Sequence, residues 1–363
     1  MKILHLIYSG LGGHGNVFFS MFRADHERLF TLEALFNGVE ELRDEYKDRC
    51  IENGIKWCFL KKKPGLDIAF YRKLVSTIRK SDPQIIFLHT SAHIIPAKIA
   101  AMLSRGKKKI IVRETQANEL KTRKEWMGLK LSMLLASKVV FLSEAYRQQV
   151  KKRLYWSYRK KKAMVVPNGI DLDIFTPAEK KPSSFILLGM QSRVVAIKDH
   201  RSLLHAFALM KEQYPQLSVK LKIAGDGEHR TVLEQLTLQL NIENDVEFTG
   251  VLNEVELVVF LQSLDIYIHA SLGETMSTAI MQAMACKKTI IASDVAGINN
   301  MLLQNETGLL VPTKDPAALA AGILRLINEK ELAARLAKNG YQFALDNYSN
   351  TAMFNRYKIL FNS

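Results

Sequence analysis

The stretch SLGETMSTAIMQAMA, residues 271–285, follows an apolar run and sets one carboxylate, Glu274, before an uncharged segment of helical composition. Thr275, Met276, Ser277 and Thr278 fall at the mouth of that segment. Gln282 lies eight residues beyond Glu274, just over two turns along the same face. First-turn amides have no intrahelical partner and bind anions, while a carboxylate beside them accepts from sugar hydroxyls. Simple helix capping accounts for the same carboxylate. A second stretch, LLGMQSRVVAIKDH, ends a strand at Gly189 and places Arg193 and Lys198 five residues apart, ahead of a helix beginning near His200. Two cations at a strand's carboxyl end are what a diphosphate leaving group requires, because they neutralise charge that grows as the bond breaks. A solvated loop is the plain alternative.

Two further stretches lie nearer the start. SGLGGHGN carries Gly10, Gly12, Gly13 and Gly15 after a strand and formally satisfies GxGxxG, a loop whose backbone can approach a phosphate. A dinucleotide-binding dehydrogenase also needs an acid closing its second strand, and LFTLEALFNG ends in Asn37 and Gly38 instead. A tight turn packed under the first helix is the structural alternative. FLHTSAH holds His89 and His93, but no third ligand accompanies them, so they are not read as a metal pair. The Asp171 and Asp173 pair is likewise not read as a metal motif.

These loops need elements to hold them. KILHLIY, LFTLEALF, QIIFLH, KIIVRE and KVVFLS alternate with helix-compatible segments, which predicts a parallel sheet covered on both faces. PNGIDLDIFTPAEKKPSS interrupts the pattern with three prolines and a glycine, the signature of an interdomain linker. SFILLGM, VKLKIAGDG, DVEFTG, DIYIHA, TIIASD and GLLVP then form a second α/β series, and two helices close the chain. A length of 363 residues fits two domains. No stretch of 18 apolar residues without charge is present, and the opening MKILHLIYSGLGG reads as a buried first strand, not a signal peptide. Cys50, Cys58 and Cys286 have no metal-ligand spacing and fit a reducing cytoplasm. The net charge of +15 is lopsided: residues 1–170 carry 33 Lys and Arg against 15 Asp and Glu. A basic first half beside a near-neutral second half points to an anionic partner of the first.

Taken together, VVFLSEAYRQQV, VVPNGIDLDIFTP, GMQSRVVAIKDHRSLLHAFALM, KIAGDGEHRTVLE, VEFTG, the Glu274 stretch and GLLVPTKDPAALA resemble glycosyltransferase family 4. The resemblance implies a retaining enzyme of α/β GT-B fold, two Rossmann-like doubly wound domains facing across a cleft. It divides the chain into residues 1–168 for the acceptor, a linker at 169–182, residues 183–340 for the sugar nucleotide, and a segment at 341–363 crossing back. By resemblance, Arg193 and Lys198 bind diphosphate and Glu274 contacts the transferred sugar. Gly12, Gly13, Thr275, Met276, Ser277, Thr278, Gln282, Gly225, Gly250 and Val251 fall on the donor side. His14, His89, Arg113 and Glu114 are acceptor-side candidates. No cofactor or metal is expected beyond the sugar-nucleotide substrate.

Two positions depart from the family pattern. Gln282 stands where the motif's second Glu grips the ribose, and an amide accepts a hydrogen bond without the charge-assisted, bidentate hold. Arg113, Glu114 and Thr115 stand where many relatives carry a histidine that contacts the sugar. The basic, aromatic-bearing segments KTRKEWMGLKLSMLLASK and VKKRLYWSYRKKK read as surfaces that insert Trp126, Tyr155 or Trp156 among anionic lipid headgroups. The expected enzyme therefore works in the cytoplasm, peripheral on the inner face of the plasma membrane. It moves sugar from a nucleoside-diphosphate sugar, a UDP-sugar by preference, to a glycan or lipid-linked acceptor of cell-envelope polysaccharide. A GT-B epimerase, converting donor without acceptor, is the nearest alternative. A nucleic-acid-binding protein is the more distant one, and no nucleic-acid motif supports it.

Overall fold

The computed structural model describes residues 1–10, 13–118, 121–179 and 183–363. The chain divides into two compact units, Met1–Gly169 with Asn350–Ser363, and Ile170–Ser349.

The first unit is built on a sheet of seven parallel strands: β1 (Lys2–Tyr8), β2 (Thr31–Gly38), β3 (Trp57–Lys61), β4 (Ile85–Leu88), β5 (Lys109–Arg113), β6 (Lys138–Phe141) and β7 (Ala163–Val165). Their order is β3-β2-β1-β4-β5-β6-β7. The central strands are apolar on both faces because helices cover both. On one side α1 (Gly13–Ala24), α2 (Asp44–Glu52) and α13 (Asn350–Asn362) bury Phe18, Tyr46 and Tyr357 against Ile3 and Phe87. On the other, α3 (Ile68–Ser81), α4 (Ile94–Leu103), α5 (Arg123–Leu135) and α6 (Glu144–Arg153) bury Leu74, Ala97, Leu129 and Val150 against Leu4, Leu88 and Val112.

The sequence pattern gives five of these strands and misses β3 and β7. Both are edge strands whose apolar runs, residues 57–60 and 163–166, are short, and runs of that length cannot be assigned by periodicity alone.

The second unit holds a six-stranded parallel sheet of β8 (Ile186–Gln191), β9 (Val219–Ala224), β10 (Val246–Gly250), β11 (Ile266–His269), β12 (Thr289–Ser293) and β13 (Leu309–Val311), ordered β10-β9-β8-β11-β12-β13. Its helices are α7 (His200–Gln213), α8 (Arg230–Gln239), α9 (Glu254–Ser263), α10 (Thr278–Ala285), α11 (Pro316–Asn328) and α12 (Lys330–Asn347). Both sheets reverse their winding beside the first strand of the unit, between β1 and β4 and between β8 and β11. Such a switch point is where an open α/β sheet receives ligands, at the carboxyl ends of its strands.

Two boundaries differ from the sequence reading. Ile170, Asp171 and Phe175 are buried in the second unit, where Ile170 N–H donates to Tyr348 O at 2.8 Å and Gln262 Nε2 donates to Thr176 O at 2.9 Å. The start of the expected linker is thus packed structure. The returning segment begins at Asn350, not 341, because α12 continues to Asn347 within the second unit.

Candidate active site

In the second unit, β8 and β11 meet at the switch point, and the loops that follow them are stitched together. Leu272 N–H donates to Ile197 O at 2.8 Å, and Ser271 Oγ donates to the same carbonyl at 3.2 Å. Ile197 sits in a short 3-10 turn, Ala196–Lys198, closed by Asp199 in the left-handed region at φ 31°. This stitch carries Lys198 onto Glu274, 76 residues further along the chain, and their side chains form an ion pair. Arg193, in the same loop as Lys198, is exposed.

His269, the last residue of β11, completes the cluster. Its Nε2 lies 2.9 Å from Glu274 Oε1 and 3.3 Å from Ser277 Oγ, and its Nδ1 lies 3.1 Å from the Tyr267 hydroxyl. An ionised carboxylate only accepts, so the imidazole proton sits on Nε2 and Tyr267 donates to Nδ1. Burial pushes the Glu274 carboxyl up, but the Lys198 ammonium and the His269 hydrogen bond outweigh it and hold its pKa near about 2. Burial lowers His269, against the pull of Glu274, so the ring is neutral. Sequence reading missed His269. The signal was its spacing of two from Tyr267, which puts both rings on one face of β11 at the strand's carboxyl end.

The neighbouring positions frame this cluster. Ser277 caps α10, its Oγ accepting from Ile280 N–H at 3.4 Å, so the helix begins at Thr278 and Thr275 to Ser277 form the turn into it. Gln282 is buried on that helix with its Oε1 lacking a hydrogen-bond partner. A buried acceptor left unpaired costs about 1–3 kcal/mol, so this oxygen is suited to receive a donor from a ligand. Gly225, at φ 135°, lets the loop after β9 press on the loop after β8: a Cβ there would stand 1.8 Å from Ser192 O. Gly250 answers it across a bridge, with Gly225 N–H donating to Gly250 O at 2.7 Å, and Val251 beyond it is exposed. Gly297, which the sequence reading passed over, allows similar contact with the Glu274 peptide, where a Cβ would lie 2.0 Å from Glu274 O.

In the first unit Gly13 opens α1, and Gly12 lies outside the described residues. His14 is half-buried with Nε2 3.0 Å from Thr115 Oγ1. His89 is buried, its Nε2 3.1 Å from His5 Nδ1, and burial holds it well below the usual histidine range. Arg113 is buried too, donating to Asn168 Oδ1 while its Nε and Nη1 have no hydrogen-bond partner. Glu114 pairs with Lys121 at 3.4 Å, and burial raises its pKa against that cation. Of the four acceptor-side candidates, only His14 is partly open to solvent. Asn37, where a dehydrogenase would carry an acid, is held by His93 Nε2 at 2.7 Å and by Ile7 O at 3.1 Å. Among the described residues no three His, Cys, Asp or Glu gather as a metal site.

The family profile described as Glycosyl transferases group 1 matches residues 173–343, and that described as Glycosyltransferase Family 4 matches residues 11–174. The chain belongs to the family 4 glycosyltransferases. A relative, the D-inositol 3-phosphate glycosyltransferase of Corynebacterium urealyticum, is 27% identical over 215 residues, 54% of this chain and 50% of its own. The chain spans about half the length of the curated relatives it matches. Among solved structures, Anabaena HepE in complex with UDP and glucose superposes with a TM-score of 0.82 at 20% identity over the whole of both chains. Sucrose-phosphate synthase from Thermosynechococcus elongatus gives 0.80 at 17% identity over 100% of this chain and 98% of its own.

The chain therefore has the GT-B fold, each unit a Rossmann-like parallel sheet. In its second unit a cation, a carboxylate and a neutral imidazole converge at a switch point, beside the Ser277-capped start of α10. That arrangement can hold a phosphate and a hydroxyl side by side.

Proposed function

We propose that this glycosyltransferase takes a nucleoside-diphosphate sugar, with UDP as the nucleotide, and transfers the sugar with retention to a glycan or lipid-linked acceptor. The observation that carries the reading is the Lys198–Glu274–His269 cluster. HepE, of the same fold, has been solved with UDP-glucose, which favours a uridine donor. Lys198 and Arg193 meet the diphosphate, the first amides of α10 add their dipole, and Glu274 accepts from a sugar hydroxyl. The Gln282 Oε1 takes a ribose hydroxyl. As the bond from the anomeric carbon to the diphosphate oxygen breaks, both electrons leave with the nucleotide. The acceptor hydroxyl attacks the same face, and its proton passes to the departing diphosphate.

The two cations supply the charge neutralisation that a metal provides in other transferases, so no added metal is needed. The station of the enzyme is cytoplasmic, on the anionic inner face of the plasma membrane, in the synthesis of cell-envelope polysaccharide such as lipopolysaccharide or capsule. Thermal unfolding with a panel of UDP-, GDP- and ADP-sugars tests the donor, because a ligand of the folded state raises its melting point. A shift confined to UDP-sugars supports the reading. No shift with any sugar nucleotide overturns it, and donor interconversion without acceptor would make the protein an epimerase.

A further inference from the structure

We propose that the flank of the first unit formed by α4, α5 and the segment after α6 is a docking surface for an anionic lipid bilayer. The inference rests on the membrane station proposed above and assigns it to particular residues. On α4, Pro96, Ala97 and Ala100 face the core, while Ile95, Ile99, Met102 and Leu103 point out. Their spacing of four, three and one makes a single stripe, 44% to 73% exposed, where a surface helix is ordinarily polar. On α5, Met127 and Leu134 are exposed a heptad apart, with Lys130 between them on the same face. After α6, Tyr155 and Trp156 stand 73% and 86% exposed, edge to face at 5.4 Å.

These parts join into one surface. The Lys162 ammonium donates to Leu134 O at the end of α5 at 2.7 Å. Burial lowers the Lys162 pKa, and the charges of Arg159 and Lys98 lower it further, so cations from α4 and from the post-α6 segment gather there. Residues 145–170 contain eight Lys or Arg and no Asp or Glu. The acids on the flanking elements are already engaged: Glu125 caps Thr122, Glu144 pairs with Arg147, and Asp82 pairs with Lys108.

An apolar and aromatic stripe bordered by cations is complementary to a bilayer bearing negative headgroups. A nucleic acid would account for the charge but leave the aliphatic stripe of α4 in water. The surface differs from the sequence expectation at Trp126, which is half-buried beneath Lys121 and Arg153 at 5.4 and 5.6 Å and packs on the core. No helix among the described residues is long and apolar enough to cross a membrane, so the contact is one of lying on the surface.

Flotation of the full chain with phosphatidylcholine vesicles, with and without phosphatidylglycerol, tests this at low and high salt. The wild type is expected to float with the anionic vesicles alone, less so at high salt. Ile99→Asp with Met102→Asp, and separately Trp156→Ala, should each cut the bound fraction about tenfold by removing apolar area from the interface. Val255→Asp with Val259→Asp, on exposed positions of the second unit, should float like the wild type. Trp156 is so exposed that its truncation leaves the fold intact, which keeps the test open if the α4 variant unfolds. Should the wild type float while both flank variants float equally well, this surface is wrong and the membrane station stands. No flotation of the wild type, equal recovery on neutral vesicles, or tight duplex binding that persists in the flank variants overturns both. Nucleotide release from the donor, measured without vesicles, leaves the transferase reading to be judged separately.

Discussion

Arg193, Lys198 and Glu274 announce themselves in sequence because each is a charged residue in a loop between an apolar run and a helix. Their pairing does not, since it depends on two loops 76 residues apart being stitched at Ile197. His269 reads as the tail of a strand and shows its role only through its 2.9 Å approach to Glu274. We expect Arg193→Ala to raise the barrier by about 2–4 kcal/mol, by analogy with loss of one oxyanion donor, with an unchanged melting point because the side chain is exposed. Steady-state kinetics beside a thermal scan would show it, and wild-type turnover would remove Arg193 from the diphosphate. Gln282→Glu should tighten donor binding without changing which sugar is transferred. Titration calorimetry with unchanged affinity would mean that Gln282 does not meet the ribose.

The parallel strands with two-faced burial were legible from their apolar runs, and edge strands β3 and β7 were not. The burial of Arg113 beside Tyr357 was equally hidden, because that contact is made by α13, which arrives from almost 250 residues away in the chain. Loop glycines are the element-scale counterpart of the charged residues. Gly297→Ala would push a methyl into the Glu274 carbonyl, and overpacking of this kind costs about 1–3 kcal/mol. The expected result is a modest loss of melting temperature with a larger loss of turnover, since the peptide displaced carries Glu274. An activity loss no greater than the stability loss would make Gly297 a packing residue alone.

For the molecule as a whole, buried histidines set the acid limit of stability. Burial depresses His5 to about 3, His93 to about 4 and His200 to about 3. The unfolded chain therefore binds protons first as pH falls through 6.5, and each neutral ring costs about 1.4 kcal/mol of stability per pH unit from there toward its folded pKa. Glu274, depressed to about 2, adds to the acid loss only below the ordinary carboxylate range. Denaturant midpoints should accordingly fall from pH 6.5 to 4.5, and a flat profile would show that the rings are not buried neutral.

The central claim is that Lys198 and Glu274 serve a nucleoside-diphosphate sugar. Its most direct measurement is release of nucleoside diphosphate from a panel of sugar nucleotides, with EDTA present, by the wild type and by Lys198→Ala. Release from a UDP-sugar by the wild type, reduced about a hundredfold or more in Lys198→Ala, is the predicted result. Failure to turn over any sugar nucleotide, or undiminished release by Lys198→Ala, would contradict it.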